Sequence, residues 1–223
     1  MIRPIKTKLF RQGDSLERFI TQHISRLCEG SVLVVTSKIV ALSQNRVVPF
    51  TPRAKQTWIR RESEIAIKTK WCYLTLKDGH WCPNAGIDES NADGKLILWP
   101  SDPFEVAYAL RKHLLRKYRL KKLGILITDS RIFPLRSGVT GVALAYAGFQ
   151  GLRNYKGKPD LFGKPLKMTQ TNIPDTLASA AVLLMGEGNE RQPLAVIEHA
   201  PVVFRSIKGH SELIIDPKHD LYR

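Results

Sequence analysis

The chain has 223 residues and a mass of 25.2 kDa, and its 35 lysines and arginines against 20 aspartates and glutamates give a formal net charge of +15. Hydrophobic residues make up 43% of the chain and charged residues 25%, which is typical of globular proteins and argues against a disordered, collagen-like or coiled-coil chain. Its length allows one large domain or two small intertwined ones. We expect a single domain over residues 1–223 with no firm internal boundary.

Neither a membrane span nor a secretory signal is predicted. The longest uncharged apolar stretch, residues 177–185, is about half of the ~18 residues that cross a bilayer, and no apolar block follows the charged start of the chain. Cys28, Cys72 and Cys82 lack the paired spacing of a zinc site or a redox motif, which favours reduced thiols. We therefore expect a cytoplasmic protein without a membrane partner.

The apolar pattern predicts both helices and strands. The predicted helices cover residues 16–27, with Asp14 and Ser15 at the start and Gly30 at the end, then residues 58–67, a basic helix that Pro103 opens, and residues 174–185. The predicted strands cover residues 31–35, 71–74, 95–99, 123–128, 142–146, 194–197 and 202–204. A turn is expected at Asp78 and Gly79. Because helices and strands do not alternate regularly, we predict an α+β fold of mixed sheets with packed helices.

The positive charge is densest at residues 111–122 and indicates an anionic partner. Leu110, Leu114, Leu115 and Tyr118 recur there at helical spacing, so these cations are predicted to line the solvent face of an amphipathic helix. No zinc-finger spacing, aromatic RNA-binding motif or basic zipper accompanies them. A solvated helix is therefore favoured over a nucleic-acid-binding surface, which stays the alternative.

Familiar catalytic motifs are absent from the sequence. Residues 157–164 resemble a phosphate-binding loop, but the glycine before the lysine comes one position late and Pro165 replaces the Ser or Thr that would hold magnesium. The six histidines form no His-Glu-x-x-His pair, and there is no Gly-x-Ser-x-Gly elbow. Zinc hydrolysis and serine esterase chemistry therefore have no support.

Two aspartates stand where a hard cation could bind. Asp88 lies in a polar loop over residues 84–94, and Asp129 follows an apolar strand directly before a hydroxyl. Mg²⁺ and Mn²⁺ take oxygen ligands, often carboxylates together with substrate phosphates. Arg136 is either a phosphate-neutralising cation or a surface ion-pair partner, and Glu187 is either a further oxygen ligand or a solvated loop residue.

Several motifs occur together in one order along the chain. They are residues 36–40 (TSKIV), 84–91 (NAGIDESN) and 127–130 (ITDS), followed by Asp160-x-x-Gly163, Asp175 and Met185-Gly186. In this combination the chain resembles the gamma-glutamyl ligase family that acts on the deazaflavin coenzyme F420. The resemblance extends from about Gly13 to the strand near Val196, and NAGIDESN is its most specific part.

The resemblance implies an α+β, intertwined homodimer. It implies an enzyme that uses GTP and two Mg²⁺ or Mn²⁺ ions to join L-glutamate to the carboxylate of an anionic cofactor acceptor, through an acyl phosphate. Asp88 and Asp129 would bind one metal, Ser130 and Glu187 the second, and Arg136 would join Asp88 and Asp129 as a catalytic residue. The residues that would bind the nucleotide are Ser37, Lys38, Asn91, Met185 and Gly186.

The sequence also departs from the family pattern. Leu42 replaces a second lysine, Glu187 replaces a glutamine, and Leu135 removes an aromatic face that would support a flat ring, while Ser130 keeps the hydroxyl of a threonine. Residues 7–10 replace Leu-Pro-x-Ile. A deazaflavin of the coenzyme F420-0 type and a folate therefore both stay open as acceptors. A non-catalytic nucleotide-binding relative is a further alternative.

Overall fold

The computed structural model describes residues 1–206 and 212–220, and it confirms an α+β fold. The helices of this part of the chain are α1 (Leu16–His23), α2 (Ser37–Ser43), α3 (Pro52–Arg61), α4 (Pro103–Tyr118) and α5 (Ile173–Met185). Its strands are β1 (Ile2–Ile5), β2 (Ser31–Thr36), β3 (Val47–Pro49), β4 (Ile65–Lys68), β5 (Tyr73–Lys77), β6 (His80–Pro83), β7 (Lys95–Ile97), β8 (Leu123–Arg131), β9 (Thr140–Ala147), β10 (Leu152–Asn154), β11 (Gln170–Asn172) and β12 (Leu194–Ile197).

A five-stranded sheet in the order β1-β12-β2-β8-β9 forms the centre of the molecule. Only β2 and β8 are parallel neighbours in this sheet, and its other pairs are antiparallel. Successive side chains of β2 face opposite ways: Leu33 and Val35 join one hydrophobic cluster, Val32 and Val34 the other. Helices cover both faces, which explains why residues 32–35 of β2 and 123–127 of β8 are apolar without interruption.

The two faces carry different helices. Side chains of α1 and α4, such as Phe19, Ile20 and Leu110, pack on one side of the central sheet. Ala178, Ala181 and the other buried residues of α5 pack on the opposite side. The sheet is therefore the middle of three layers, and its strand ends open between them.

Residues 47–99 form a smaller region between α2 and α4. It contains α3, the hairpin-linked sheet β4-β5-β6 and the pair β3-β7, and it has a small core around Ile59, Leu96 and Leu98. Asp78 and Gly79 have φ angles of 49° and 74° and make the predicted turn between β5 and β6. This region brings residues 84–94 against the ends of β2 and β8.

Several predicted elements have wrong boundaries. The strand expected over residues 71–74 is β5, which covers Tyr73–Lys77, and the strand expected over residues 95–99 is β7, which ends at Ile97. The helix expected over residues 58–67 is α3, which Thr51 caps and which ends at Arg61, because Ile65 and Ile67 pair with β5 as a strand. The first helix ends at His23 instead of Leu27, although Ile24 and Leu27 are buried in the core as their apolar spacing suggested. Residues 202–204 form no strand, and Phe204 makes one isolated bridge to Phe149.

One cation of the basic helix lies inside the protein. Arg111 is only 6% exposed, and its Nε donates a hydrogen bond to the carbonyl oxygen of Leu123 at 2.8 Å. The prediction that the cations of α4 face solvent is therefore wrong for Arg111, which joins α4 to the start of β8. In the described part of the chain, no helix combines the length and the apolar character needed to cross a membrane.

Candidate active site

A cavity of about 210 Å³ lies where the parallel strands β2 and β8 end. Ligand sites are common at the carboxyl ends of parallel strands, because the chain leaves the sheet there on both sides of a crevice. Residues 84–94 and the segment that joins α5 to β12 complete the wall. The predicted site residues that line this cavity are Ser37, Lys38, Asp88, Asn91, Asp129, Ser130, Met185, Gly186 and Glu187.

Arg136 is the predicted site residue that the structure places elsewhere. It lies in the exposed segment between β8 and β9, where its backbone N–H donates to the carbonyl oxygen of Phe133 at 3.2 Å. It is not part of the cavity wall. Its catalytic role therefore stays a prediction.

Asp129 lies inside β8, beside a break in strand pairing. Ile127 pairs with Ala145 and Thr128 with Ala143, so Leu144 is an extra residue on β9. Asp175 at the start of α5 supports this bulge, because its Oδ1 accepts a hydrogen bond from the N–H of Ala143 at 2.8 Å. Bulges bend a strand and redirect side chains next to active sites. The break therefore helps to aim the end of β8 into the cavity.

Asp129 is surrounded by hydrogen-bond donors. Its Oδ1 accepts from the N–H of Ser130 at 2.8 Å, its Oδ2 accepts from the Trp99 indole, and the Ser37 hydroxyl is a further donor. Loss of hydration nevertheless raises the pKa of Asp129 to about 6, and the charge of Asp88 contributes to the increase. A cation in the cavity would therefore be favoured at this carboxylate.

Lys38 and Ser90 hold Asp88. The Lys38 Nζ lies 2.7 Å from Asp88 Oδ2 and also donates to the backbone and side-chain oxygens of Ser90, at 3.0 and 3.1 Å. The N–H and hydroxyl of Ser90 donate to the Asp88 carboxylate at 2.7 and 2.9 Å. Partial burial alone would raise the pKa of Asp88, but these partners lower it, so the carboxylate is ionised at neutral pH.

An unusual backbone precedes Asp88. Asn84, Ala85 and Gly86 have φ angles of 51°, 56° and 69°, although the left-handed region is unfavourable for a residue with a Cβ atom. The buried Thr75 holds the turn, because its Oγ1 accepts from the N–H of Ala85 at 2.7 Å and donates to the carbonyl of Cys82 at 2.6 Å. Such strain is often found where a loop positions functional groups.

The segment after α5 forms the opposite wall. Burial raises the pKa of Glu187, and the charges of Asp88 and Glu190 add to this, while Lys38 and the Ser130 hydroxyl act against it. Asn91 Nδ2 donates to the carbonyl oxygen of Gly188 at 3.3 Å and so joins this wall to residues 84–94. The cavity is thus lined by four carboxylates, those of Asp88, Asp129, Glu187 and Glu190.

The donor set fits a hard divalent cation only in part. Asp88, Asp129, Ser130 and Glu187 offer oxygen atoms, which Mg²⁺ and Mn²⁺ prefer. Within residues 1–206 and 212–220, no three His, Cys, Asp or Glu side chains stand close enough to hold a metal by themselves. Mg²⁺ usually binds through one or two carboxylates and completes its shell with waters and substrate phosphates. The residues therefore fit a metal that arrives with a phosphorylated substrate.

Some residues at the site were not predicted. Trp99 donates to Asp129, Ser90 holds Lys38 and Asp88, and the buried Thr128 hydroxyl beside the cavity has no hydrogen-bond partner within the described chain. Ser90 and Thr128 lie within the quoted motifs, whereas Trp99 carries no local signal. Only the fold brings its indole to Asp129.

Comparisons with known proteins identify the family of the chain. A family model described as F420-0:gamma-glutamyl ligase matches residues 4–199. The coenzyme F420:L-glutamate ligase of Methanococcus maripaludis strain C6 is 40% identical over 214 residues, which cover 87% of this chain and 86% of that protein. The enzymes of the same name from Methanopyrus kandleri and Methanosarcina mazei are 32% and 33% identical, over 99% and 86% of this chain and 95% and 82% of their own lengths.

These matches first define a class: the chain is an enzyme, a ligase that forms carbon–nitrogen bonds. Within that class, it belongs to the F420-0:gamma-glutamyl ligase family. The resemblance of its sequence motifs to this family is thereby confirmed.

Proposed function

We propose that this protein uses GTP and a divalent metal to join L-glutamate through an amide bond to the carboxylate of a deazaflavin acceptor of the coenzyme F420-0 type. The observation that carries the proposal is the cavity in which Asp88, Asp129 and Glu187 meet Lys38. The names of the relatives support the acceptor, since each is a coenzyme F420:L-glutamate ligase. The net charge of +15 suits three anionic substrates.

The reaction would proceed through an acyl phosphate. An oxygen of the acceptor carboxylate attacks the terminal phosphorus of GTP, and the bond from that phosphorus to the oxygen of GDP breaks. The glutamate amine then attacks the acyl carbon, inorganic phosphate leaves, and the amine loses a proton. Phosphorylation thus replaces the carboxylate oxygen, a poor leaving group, with phosphate, a good leaving group.

The cavity residues would bind and neutralise the phosphates. The lysine ammonium of Lys38 is a compact positive charge beside Asp88, and Ser37 and Asn91 offer further polar groups for the nucleotide. Asp88 with Asp129, and Ser130 with Glu187, would hold two Mg²⁺ or Mn²⁺ ions. When bound, these ions would neutralise charge that develops on the transferred phosphoryl group. The unpartnered Thr128 hydroxyl is a further group that a bound substrate would satisfy.

We also propose that the enzyme acts as a cytoplasmic homodimer. Leu161, Phe162 and Leu183 are large apolar side chains that are strongly exposed in the single chain. Leu161 and Phe162 are consecutive, and a patch of exposed apolar side chains is typical of interfaces between protein chains.

The test is product formation by the purified protein with GTP, Mn²⁺ and L-glutamate. The arms contain the deazaflavin acceptor, folate monoglutamate or no acceptor, and phosphate release and the glutamyl mass increment are measured. We expect glutamylated product only in the arm that contains the deazaflavin acceptor. Product with folate alone would contradict the proposed acceptor, and stabilisation by GTP and Mn²⁺ without any product would indicate the non-catalytic relative.

Asp129→Asn tests the site itself. The substitution keeps a side chain of the same shape but removes the charge, so we expect kcat to fall about 100-fold or more. Asp93→Asn is the matched control, because Asp93 is an exposed aspartate of the loop 84–94 that borders the cavity but does not line the cavity itself, and the kcat of this variant should stay within twofold. Equal activity of the two variants would contradict the assigned site.

A further inference from the structure

A second cavity, of about 370 Å³, lies beside the first and is lined by α3, by the turn between β4 and β5, and by Glu89. We call it the aromatic groove. Its main side chains are Phe50, Trp71, Tyr73, Lys55, Lys68 and Lys70. Neither the proposed metal ligands nor the nucleotide-binding residues lie among them.

Trp71 is the most unusual residue of the groove. Its side chain is 86% exposed, although an indole is one of the largest apolar groups of a protein. The turn that carries it is fixed, because the Thr69 Oγ1 accepts from the N–H groups of Trp71 and Cys72 at 3.3 and 3.2 Å. An exposed ring on an ordered turn offers a flat surface on which another flat ring can stack.

The charge around the rings is positive. Three lysines and one carboxylate line the groove. The carboxylate, that of Glu89, lies 3.3 Å from the Lys55 ammonium. In the described residues neither Lys68 nor Lys70 forms an ion pair, and the Lys70 Nζ lies 5.0 Å from the centre of the Trp71 ring. The groove thus combines flat apolar surface with free positive charge, which together suit a flat heterocycle that carries an anionic chain.

The position of the groove links it to the first cavity. Asp88 lines the first cavity and Glu89 lines the groove, and the Cα atoms of consecutive residues are only about 3.8 Å apart. The first cavity, at about 210 Å³, lies below the roughly 300–1,000 Å³ typical of ligand pockets, which favours a separate binding place for a large acceptor. The groove falls within that range.

We infer that the aromatic groove binds the flat ring and the anionic chain of the acceptor. The carboxylate of that acceptor chain then reaches past residues 88–90 to the phosphoryl group in the first cavity. This inference rests on the proposed function, because that function supplies the acceptor. The ring then stacks on Trp71, and Lys68 and Lys70 attract the negative charge of the chain. The aromatic face that is missing at Leu135 is supplied from a different part of the chain.

The test measures binding of the deazaflavin acceptor by calorimetry, without GTP or glutamate, together with the acceptor KM, the GTP KM and kcat. Stacking on an aromatic side chain is worth about 1–3 kcal/mol by alanine substitution, so Trp71→Ala should weaken acceptor binding roughly 5- to 150-fold. Trp71→Phe should restore most of it. The GTP KM should stay within twofold in both variants.

The lysines are tested in pairs. We expect the double variant Lys68→Gln, Lys70→Gln to weaken acceptor binding about fivefold or more, and more strongly at low salt than at high salt. The matched control is Lys121→Gln with Lys122→Gln, which removes the same charge before the start of β8, at the opposite end of the strand from the cavity. This control should leave acceptor binding within twofold.

The outcomes separate the inference from the proposed function. If the wild type is active and both groove variants keep its acceptor affinity and acceptor KM, the inference is wrong while the proposed function stands. A wild type that binds the acceptor through Trp71 but makes no product would contradict the proposed function alone. If Trp71→Ala changes the association state in sedimentation and leaves acceptor affinity unchanged, the groove is a protein interface and the inference is wrong.

Discussion

Gly86 fixes the distance between the loop of residues 84–94 and Trp99. Its φ angle is +69°, and a Cβ atom at this position would lie 2.0 Å from the Trp99 Nε1. That nitrogen donates to Asp129. The glycine therefore allows the indole to lie between the loop and the carboxylate.

Gly86→Ala should displace the indole from Asp129. Left-handed strain and overpacking together should lower the free energy of unfolding by about 2–4 kcal/mol, and kcat should fall about tenfold or more. Urea unfolding and the glutamylation rate are the measurements. The control is Gly79→Ala, with φ +74° and nothing within 4 Å of a new Cβ, which should lose only about 1 kcal/mol and keep full activity. Similar losses of activity in both variants would disprove the role of the Trp99 contact.

Among single residues, the sequence predicts those whose role can be inferred from their neighbours in the chain. Asp88 and Asp129 stood out because a carboxylate follows a loop motif or an apolar strand, and the structure brings both to one cavity. Trp99 and Arg111 did not, because their partners lie 30 and 12 residues away along the chain. Hydrogen bonds of this kind depend on tertiary structure and leave no spacing pattern.

Glu62 connects α3 to the strands around it. Its Oε2 lies 2.6 Å from the Arg46 Nη2 and 2.8 Å from the Lys77 Nζ, and its side chain is largely buried. Burial alone would raise the pKa of Glu62, but the hydrogen bonds and charges of Lys77 and Arg46 outweigh it, so that the pKa lies below its ordinary value. The ionised form is therefore favoured by folding.

Glu62→Gln should lower stability in a pH-dependent way. A carboxyl with a lowered pKa stabilises the fold above its unfolded pKa of about 4.3, and this contribution is lost as the pH falls through the folded pKa. We expect a loss of about 2 kcal/mol at pH 7 that shrinks below about pH 4. Urea unfolding across this pH range checks it.

Glu64→Gln is the control for this element. Glu64 is exposed and accepts one hydrogen bond, from the N–H of Asp78 at 2.9 Å, which a glutamine oxygen can still accept. Its effect should stay within about 0.5 kcal/mol at every pH. A constant difference between Glu62→Gln and wild type from pH 7 to pH 3 would rule out the charge as the source of the stability.

Element boundaries show where local pattern fails. Residues 58–67 fit a charged helix by composition, but Ile65 and Ile67 find backbone partners in β5, and that pairing decides the structure. Four of the five strands of the central sheet, all except β1 with its Arg3 and Pro4, were predicted because they contain continuous apolar runs. Their order was not, since β12 joins β1 and β2 from the far end of the chain.

At the scale of the whole molecule, apolar side chains point into solvent on an ordered turn. Leu161 and Phe162 are 98% and 94% exposed. Asp160 fixes the turn, since its Oδ1 accepts from the N–H groups of Phe162 and Lys164 at 2.8 and 2.9 Å. A surface that is ordered before association loses little conformational entropy when a partner covers it.

We therefore expect sedimentation equilibrium to give twice the chain mass of 25.2 kDa. The double substitution Leu161→Asp, Phe162→Asp places two charges where apolar contact is needed, and it should weaken the dimer at least 100-fold. Val203→Asp is the control, because it adds a charge at another exposed apolar residue and should leave the dimer intact. A wild type that sediments as a single chain at micromolar concentration would contradict the homodimer. A dimer that survives the double substitution would place its interface on another surface, because two aspartates cannot be buried there without partners.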